Sequence, residues 1–249
     1  MVKKNTYFVS DMHFGTDTFG NSVDREKQFV RWLDTVRGEM KALYLLGDIF
    51  DFWFEYKHAV PQGFTRFLGK IAELSDTGIE IHYFTGNHDI WISDYLPREL
   101  GVILHREPLT ATIDGKIFYL AHGDGLGDDN LLFGIIRKIF HNHACRKLFS
   151  LIHPSLGIWI ALKWAKHSRM KELSHPVPYM GENNEHLVKY AKNYIRQYPE
   201  TDYLIFGHRH IILDLMLNRR SRMLIIGDWL KHFSYAIFDG ENLTLEENG

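Results

Sequence analysis

Short apolar runs, each closed by glycine or a polar cluster, recur along this chain. Residues 6–9, 42–46, 79–84, 117–121 and 203–206 are rich in β-branched, aliphatic and aromatic side chains. Runs of that length read as buried strands. Between the early runs the period changes to that of a helix. Residues 24–36 put Phe29, Trp32, Leu33 and Val36 on one face, and residues 63–74 do the same with Phe64, Phe67, Leu68, Ile71 and Leu74. After Glu99 strand patterns dominate, at 109–113, 117–121, 213–217, 223–226 and 234–238. Helices alternating with strands, then mostly strands, predict an α/β (α+β) chain with two stacked sheets and flanking helices.

Residues 130–171 break this rhythm. They are helical by period, with Leu132, Ile135, Ile136, Ile139 and Phe140 in the first part, and Leu156, Ile158, Trp159, Ile160, Leu162 and Trp164 in the second. No Asp or Glu occurs from Leu131 to Lys171, whereas Arg137, Lys138, Arg146, Lys147, Lys163, Lys166, Arg169 and Lys171 all do. The whole chain is formally −2, so this segment carries +8 and the remainder −10. A basic, aromatic-rich apolar helical insert suits anionic amphiphiles or membrane headgroups. Its apolar run is too short to span a bilayer and contains Lys163. The plainer reading is a helical hairpin packed on the core. A nucleic-acid partner is not expected, because the bases are interleaved with bulky aliphatics instead of tracking a backbone.

Composition adds boundaries. A chain of 249 residues is read as one domain, 1–249, with the segment 130–171 inserted in it. Hydrophobic content of 45% and charged content of 24% are ordinary for a globular protein. The single cysteine, Cys145, excludes an intrachain disulfide framework and fits a reducing compartment. The first residues hold too short an apolar stretch for a signal peptide and read as the first strand.

The candidate chemistry lies where the strand patterns end. Five motifs follow five apolar runs: Asp11-Met12-His13, Gly47-Asp48-Ile49-Phe50-Asp51, Gly86-Asn87-His88-Asp89, His122-Gly123-Asp124 and Gly207-His208-Arg209-His210. Taken singly, Gly-Asp and Gly-Asn pairs are turn formers and a His before Gly is a polar loop residue. Together they supply enough ligands for two adjacent divalent metals. Mixed Asp, Asn and His donors suit Mn²⁺, Zn²⁺ or Fe²⁺ better than Ca²⁺, and Mn²⁺ is the first expectation. One carboxylate can bridge two metals roughly 3.5–4 Å apart, an arrangement suited to hydrolysing phosphate esters without a nucleophilic Ser or Cys. His58, His82, His105, His141 and His143 lack such a context and read as surface or core residues.

As a set, these motifs resemble those of the calcineurin-like metallophosphoesterases, from Asp11 to His210. The resemblance implies a four-layer αββα sandwich. It implies one metal held by Asp11, His13, Asp48 and His210, and a second held by Asp48, Asn87, His122 and His208, with Asp48 as the bridge. It places His88 against the scissile phosphate as acid or electrostatic stabiliser, with Asp51 orienting it.

Within that superfamily, the stretch from His122 to Asp129, the basic apolar insert, the Gly207-His208-Arg209-His210 motif and Ile226-Gly227-Asp228-Trp229 resemble the UDP-2,3-diacylglucosamine hydrolases. That family acts in lipid A biosynthesis on the cytoplasmic face of the inner membrane. The resemblance implies a lipid-linked UDP-sugar substrate, a peripheral location on that membrane, and an insert that serves as a lid over the acyl chains. Leu156, Trp159 and Trp164 would bury acyl chain, Arg169 and Lys171 would meet the anionic headgroup, and His167 and Ser168 would bond the sugar. Asp129 is counted with these substrate contacts. One position departs from the pattern. Familiar members carry Arg in the third position of Gly-Asn-x-Asp, and this chain has His88, which lacks the bidentate fork of Arg. Phosphoester hydrolysis is expected with either residue. Another nucleotide or lipid phosphate stays open as the alternative substrate.

Overall fold

The computed structural model describes residues 4–127, 134, 138–140, 142–174 and 178–248, with the side chains of 168, 169 and 171–174 left out. Eleven strands form two sheets among the described residues. The first sheet has the order β11-β10-β1-β2-β3-β4, built from Asn5–Val9 (β1), Met40–Leu46 (β2), Glu80–Phe84 (β3), Ile103–His105 (β4), Ser234–Phe238 (β10) and Leu243–Glu247 (β11). The second has the order β5-β6-β7-β9-β8, from Leu109–Ile113 (β5), Lys116–Ala121 (β6), Tyr203–Phe206 (β7), Ile212–Met216 (β8) and Arg222–Ile226 (β9). β1, β2, β3 and β4 are mutually parallel, as are β6, β7 and β9.

The continuous apolar character of these strands follows from burial on both faces. In β2, Leu43 and Leu45 join the cluster that contains Phe29, Trp32, Phe67 and Ile71. Those four side chains come from helices α1, Ser22–Val36, and α2, Thr65–Asp76. The alternate residues Ala42, Tyr44 and Leu46 turn toward Phe118, Leu120, Ile205 and Leu224 of the second sheet. The outer face of that sheet packs Tyr119, Leu204, Phe206 and Met223 against Leu187, Val188, Ala191 and Ile195. The result is helix, sheet, sheet, helix, as the resemblance implied.

Local chemistry fixes the helix starts. Asn21 caps α1 by accepting hydrogen bonds from the backbone N–H groups of Val23 and Asp24. The α2 N-terminus is capped from a distance, since Glu26 Oε1 accepts from Arg66 N at 2.8 Å and Phe67 N at 2.9 Å. Four elements lie outside those the sequence pattern predicted: β4, β11, the short helix α3 at Tyr95–Leu100, and a long helix at His186–Gln197. Within the insert, residues 138–140 are helical and two further helices follow, α4 at His143–Ser150 and α5 at Pro154–Ser174, making the His186–Gln197 helix α6. Of the insert's expected first helical part, residues 130–133, 135–137 and 141 fall outside the described residues.

His82 and His105 pack at the edge of the first sheet. The His82 and His105 rings share a 2.8 Å Nδ1–Nε2 contact, and His82 stacks on Tyr44 with centroids 4.2 Å apart. Burial, with His82 adding to it, pushes His105 down to about 4. Burial also lowers His82 despite its contact with Glu80. Both are therefore neutral in the fold at pH values where the unfolded chain, titrating near 6.5, already binds protons. Stability contributed above about pH 6.5 is lost as pH falls toward 4, because the unfolded state takes up more protons there. We expect urea midpoints measured between pH 4 and 6.5 to fall less steeply in His105→Phe than in the native chain; equal slopes would refute the assignment.

Candidate metal centre

The parallel strands of both sheets end at one edge, and the five motifs leave from there. Val9 pairs with Leu45 and Leu46 with Phe84, so the Asp11, Asp48 and Asn87 loops start level with one another. Ala121 pairs with Phe206, which brings the His122 loop beside the His208 loop. The turns are sharp. Asp11, His13, Asp48, His208 and His210 all adopt positive φ, between 46° and 67°, and they make up five of the eight described non-glycine residues that do. A left-handed residue with a Cβ costs on the order of 1–2 kcal/mol, so five at one site must be held by the surroundings. The hold is visible: Asp11 N bonds Gly47 O at 3.1 Å, His13 N bonds Asp48 O at 3.0 Å, and Gly207 N bonds His122 O at 2.9 Å.

All seven predicted ligands are brought together. Asp11 lies beside both His13 and His210, its Oδ1 3.7 Å and 3.4 Å from their Nε2 atoms. Asp48 Oδ2 is 3.7 Å from His13 Nε2 and 3.3 Å from His122 Nε2, midway between the two predicted ligand sets. Asn87 Oδ1 lies 3.4 Å from the same His122 Nε2. The His122 and His208 rings are 5.2 Å apart, as are those of His13 and His210. His122 Nδ1 donates to Leu46 O at 2.8 Å, which fixes the tautomer and leaves Nε2 for a ligand. The second oxygens of both carboxylates accept backbone hydrogen bonds, His208 N to Asp11 Oδ2 at 2.9 Å and His88 N to Asp48 Oδ1 at 2.8 Å.

Electrostatics show the cost of this crowding. Burial raises the Asp11 carboxyl even though His210 and His122 oppose it. Burial works on Asp48 too, but His122, His88 and His13 outweigh it and hold this carboxyl well below the usual range. His122 is driven well above its ordinary value, because Asp48 overrides burial. Burial and the neighbouring His122 push His208 well down. Fully buried Asp11 Oδ1 has no hydrogen-bond partner among the described residues. Such a bare carboxylate oxygen is costly unless a cation meets it. Three overlapping triads, Asp11-His13-His210, His13-Asp51-His88 and Asp11-Asp48-His122, have ligand atoms close enough for a metal ion. The mixed oxygen and imidazole donors, and the bare oxygen, fit a divalent metal pair.

His88 lies at the mouth of the centre. Its Nδ1 donates to the backbone O of Asp51 at 3.0 Å, while the Asp51 carboxylate is 3.7 Å from that nitrogen and 3.4 Å from His13 Nδ1. Asp51 thus meets both rings, and its main chain makes the short contact to His88.

Three residues with structural leverage on the site carried no assigned role in the sequence reading. Asp89 is fully buried and accepts from Gly86 N at 2.7 Å, Ile49 N at 2.9 Å and Tyr83 Oη at 2.6 Å, knitting two ligand loops together. Burial, with Asp48 nearby, pushes its carboxyl up to about 6. Asp228 lies 3.3 Å from His210 Nδ1 and accepts from three backbone N–H groups at Leu230, Lys231 and His232. Although burial opposes it, these contacts hold Asp228 down at about 2. Arg25 on α1 reaches back to Thr16 O at 2.6 Å and His13 O at 3.3 Å. Asp89 and Asp228 stand inside motifs already named, and Arg25 in none; each role also needs a partner that only folding brings close, such as Ile49 N for Asp89 and His210 for Asp228.

A cavity of about 400 Å³ opens from the centre. Asp51, Asn87 and His88 form one wall, and Phe140, Phe149, Ile152, Ile160, Ala161 and Trp164 of the 130–171 segment form another. Trp91 Nε1 donates to Phe140 O at 2.8 Å, tying the two walls. Trp164 was expected here; Leu156 and Trp159 were too, but both are exposed and line none of it. The face of α5 that lines the cavity carries Ile160, Ala161, Trp164 and Ala165, and Leu156 and Trp159 fall outside it. His167 is likewise exposed on α5 and absent from the lining. The Ser168, Arg169 and Lys171 side chains and the whole of Asp129 fall outside the described residues.

With the geometry in place, comparison with known proteins is informative. The sequence model described as Calcineurin-like phosphoesterase matches residues 4–211. The chain is 41% identical to the UDP-2,3-diacylglucosamine hydrolase of Porphyromonas gingivalis strain W83, over 98% of each chain. It is 28% identical to that of Neisseria meningitidis serogroup A, covering 94% of this chain and 92% of the relative. Among solved structures, Chaetomium thermophilum Vps29 aligns at a TM-score of 0.48 and 9% identity, covering 97% of this chain and 86% of that one.

The tight approach of Gly86 to Asp48 provides a test. A Cβ at Gly86 would collide with Asp48 Oδ1 and lie 2.6 Å from its backbone N. We expect Gly86→Ala to displace Asp48 and to purify with less bound divalent metal by elemental analysis, at an overpacking cost of about 1–3 kcal/mol. Full metal content in a folded Gly86→Ala protein would contradict the bridging position of Asp48.

Proposed function

The chain belongs to the calcineurin-like phosphoesterase family, and we propose that it hydrolyses the pyrophosphate of UDP-2,3-diacylglucosamine, giving UMP and 2,3-diacylglucosamine 1-phosphate. The observation that carries this reading is the shared wall of the cavity, in which Asn87 and His88 stand beside apolar side chains of the 130–171 segment. A phosphate on an acyl-bearing sugar could then reach the metal centre while its hydrocarbon lies in the cavity. The relatives named above support the same substrate.

One metal would be held by Asp11, His13, Asp48 and His210, the other by Asp48, Asn87, His122 and His208, and the donor set favours Mn²⁺. Such a pair, when bound, acidifies water and offsets phosphoryl charge. The protein's own contribution is positional. His88, with Nδ1 held by Asp51 O, lines the cavity beside Asn87, where its imidazolium form would donate a hydrogen bond or a proton to a phosphoryl or leaving-group oxygen. Asp48 is kept ionised by its imidazole neighbours, ready to bridge. Apolar contacts far from the reacting bond would hold the pyrophosphate over the ligands.

We read the 130–171 segment as a lid inserted in a single domain. Its outer surface exposes Leu148, Leu151, Trp159 and Met170 among Lys147, Lys163 and Lys166. Exposed apolar side chains interleaved with bases suit the plane of an anionic membrane surface, so the reading includes a cytoplasmic protein peripheral on the inner membrane. No described helix is long and apolar enough to cross a membrane. Arg169 and Lys171 remain the proposed headgroup contacts, Ser168 and His167 sugar contacts, and Asp129 a further contact. His88 in place of Arg is the one feature favouring a different nucleotide or lipid phosphate.

Removing His88 should separate chemistry from metal binding. We expect His88→Ala to lose roughly 10²–10⁴-fold in kcat while keeping native metal content; loss of metal would show that His88 is a ligand instead.

The lipid reading is decided by substrate comparison. kcat/KM for UDP-2,3-diacylglucosamine should far exceed that for UDP-N-acetylglucosamine. Trp164→Gln and Phe149→Gln should lower the lipid reaction by a larger factor than hydrolysis of an aryl phosphodiester, each buried methylene contributing about 0.8 kcal/mol. Equal values across the substrates would leave a general phosphodiesterase.

A further inference from the structure

His208 and His210 are asked to do something unusual. Both adopt left-handed backbone, with φ of 67° and 51°, on either side of Arg209. Residues with a Cβ populate that conformation sparsely, so the surroundings must hold two of them in one short turn. Arg209 provides an anchor. Its side chain forms a fork onto Glu185, Nε to Oε1 at 2.8 Å and Nη2 to Oε2 at 3.1 Å. Glu185 is fully buried, at the N-terminal boundary of α6, where its carbonyl accepts from Lys189 N. A carboxylate with no exposure is tolerated when paired bidentately with a guanidinium. The next residue, His186, has its ring 6.5 Å from that of His208. α6 itself packs Leu187, Val188 and Ala191 against the second sheet, which gives the anchor a rigid base.

We propose that Glu185 is a positioning residue for the metal centre, acting through Arg209 to hold His208 and His210 in the conformation from which their imidazoles face the other ligands. The inference rests on the metal-pair reading of this site. It goes beyond it in assigning the pair's geometry to a carboxylate outside the seven predicted ligands and outside the cavity lining. His208 and His210 belong to different predicted metal sets, so one ion pair would govern both halves of the centre.

Mn²⁺ titrated into the metal-free full-length protein is the probe, with calorimetry for affinity and electron paramagnetic resonance for coupling between the two ions. In the native chain two Mn²⁺ should bind and give a spin-coupled spectrum. Glu185→Gln, and independently Arg209→Lys, which keeps charge but loses the fork, should each raise the apparent dissociation constant roughly 10–100-fold and weaken the coupled signal. Combining Glu185→Gln with Arg209→Lys should cost no more than the larger single effect, as for residues acting as one unit. A merely structural role predicts otherwise: a lower thermal midpoint of the metal-free protein with Mn²⁺ affinity and coupling unchanged, and that result overturns the proposal. Should Glu185→Gln fail to fold, the folded Arg209→Lys protein decides between the two outcomes. Failure of the native chain to bind two Mn²⁺ would instead sink the metal-pair reading, and the proposal with it.

Discussion

Two buried carboxylates, Asp11 and Asp48, set the terms for this molecule. Like charges brought close in a low-dielectric interior repel, and each loses its hydration. Imidazoles surround them and offset part of that cost. Oδ1 of Asp11 has two imidazole nitrogens near it but no hydrogen bond among the described residues, and there a cation would complete the compensation. The architecture can be read as the means of holding this arrangement. Parallel strands end at one level, helices brace the loops from outside, and glycines at 86 and 207 stand where any Cβ would strike a carboxylate oxygen. The five left-handed Asp and His residues at these turns all belong to this charge cluster.

The two kinds of burial in the molecule divide its labour. Between the sheets and under the helices lies ordinary close-packed hydrocarbon, which gives rigidity. Around His88 that packing opens into a cavity whose far wall comes from the basic, acid-free segment. Polar chemistry and apolar recognition therefore meet along a few ångströms of one surface. The joint between them is itself bonded, through the Trp91 indole and the carbonyl of Phe140.

Much of this was legible in the sequence because the signals were local. Central strands such as Met40–Leu46 are buried on both faces and read as unbroken apolar runs; the candidate ligands follow strand ends within one to four residues. What escaped was not local. β11, with its Thr244, Glu246 and Glu247, lies at an open edge and carries little hydrophobic pattern. β4 is three residues long. Asp89, Asp228, Arg25 and Glu185 are polar groups whose meaning depends on partners that only folding supplies. The Leu156 and Trp159 expectation erred in direction: the richness of the α5 sequence in apolar residues was real, but its helix faces the cavity with Ile160, Ala161 and Trp164.

The placement of β1 has a consequence for how such a chain is made. β1 lies between β2 and β10, with Thr6 opposite Phe238, and Trp229 N bonds Asp11 O. β1 therefore waits for a strand far later in the chain before its second edge is paired. Contacts so distant along the chain are slow to form, because loop closure must be met before they contribute. Until then a hydrophobic strand edge next to the ligand-bearing loop stays open to wrong partners. A nascent chain would present His13 and Asp48 early and complete the cluster only when His210 and Asp228 arrive, so no early segment holds the whole centre.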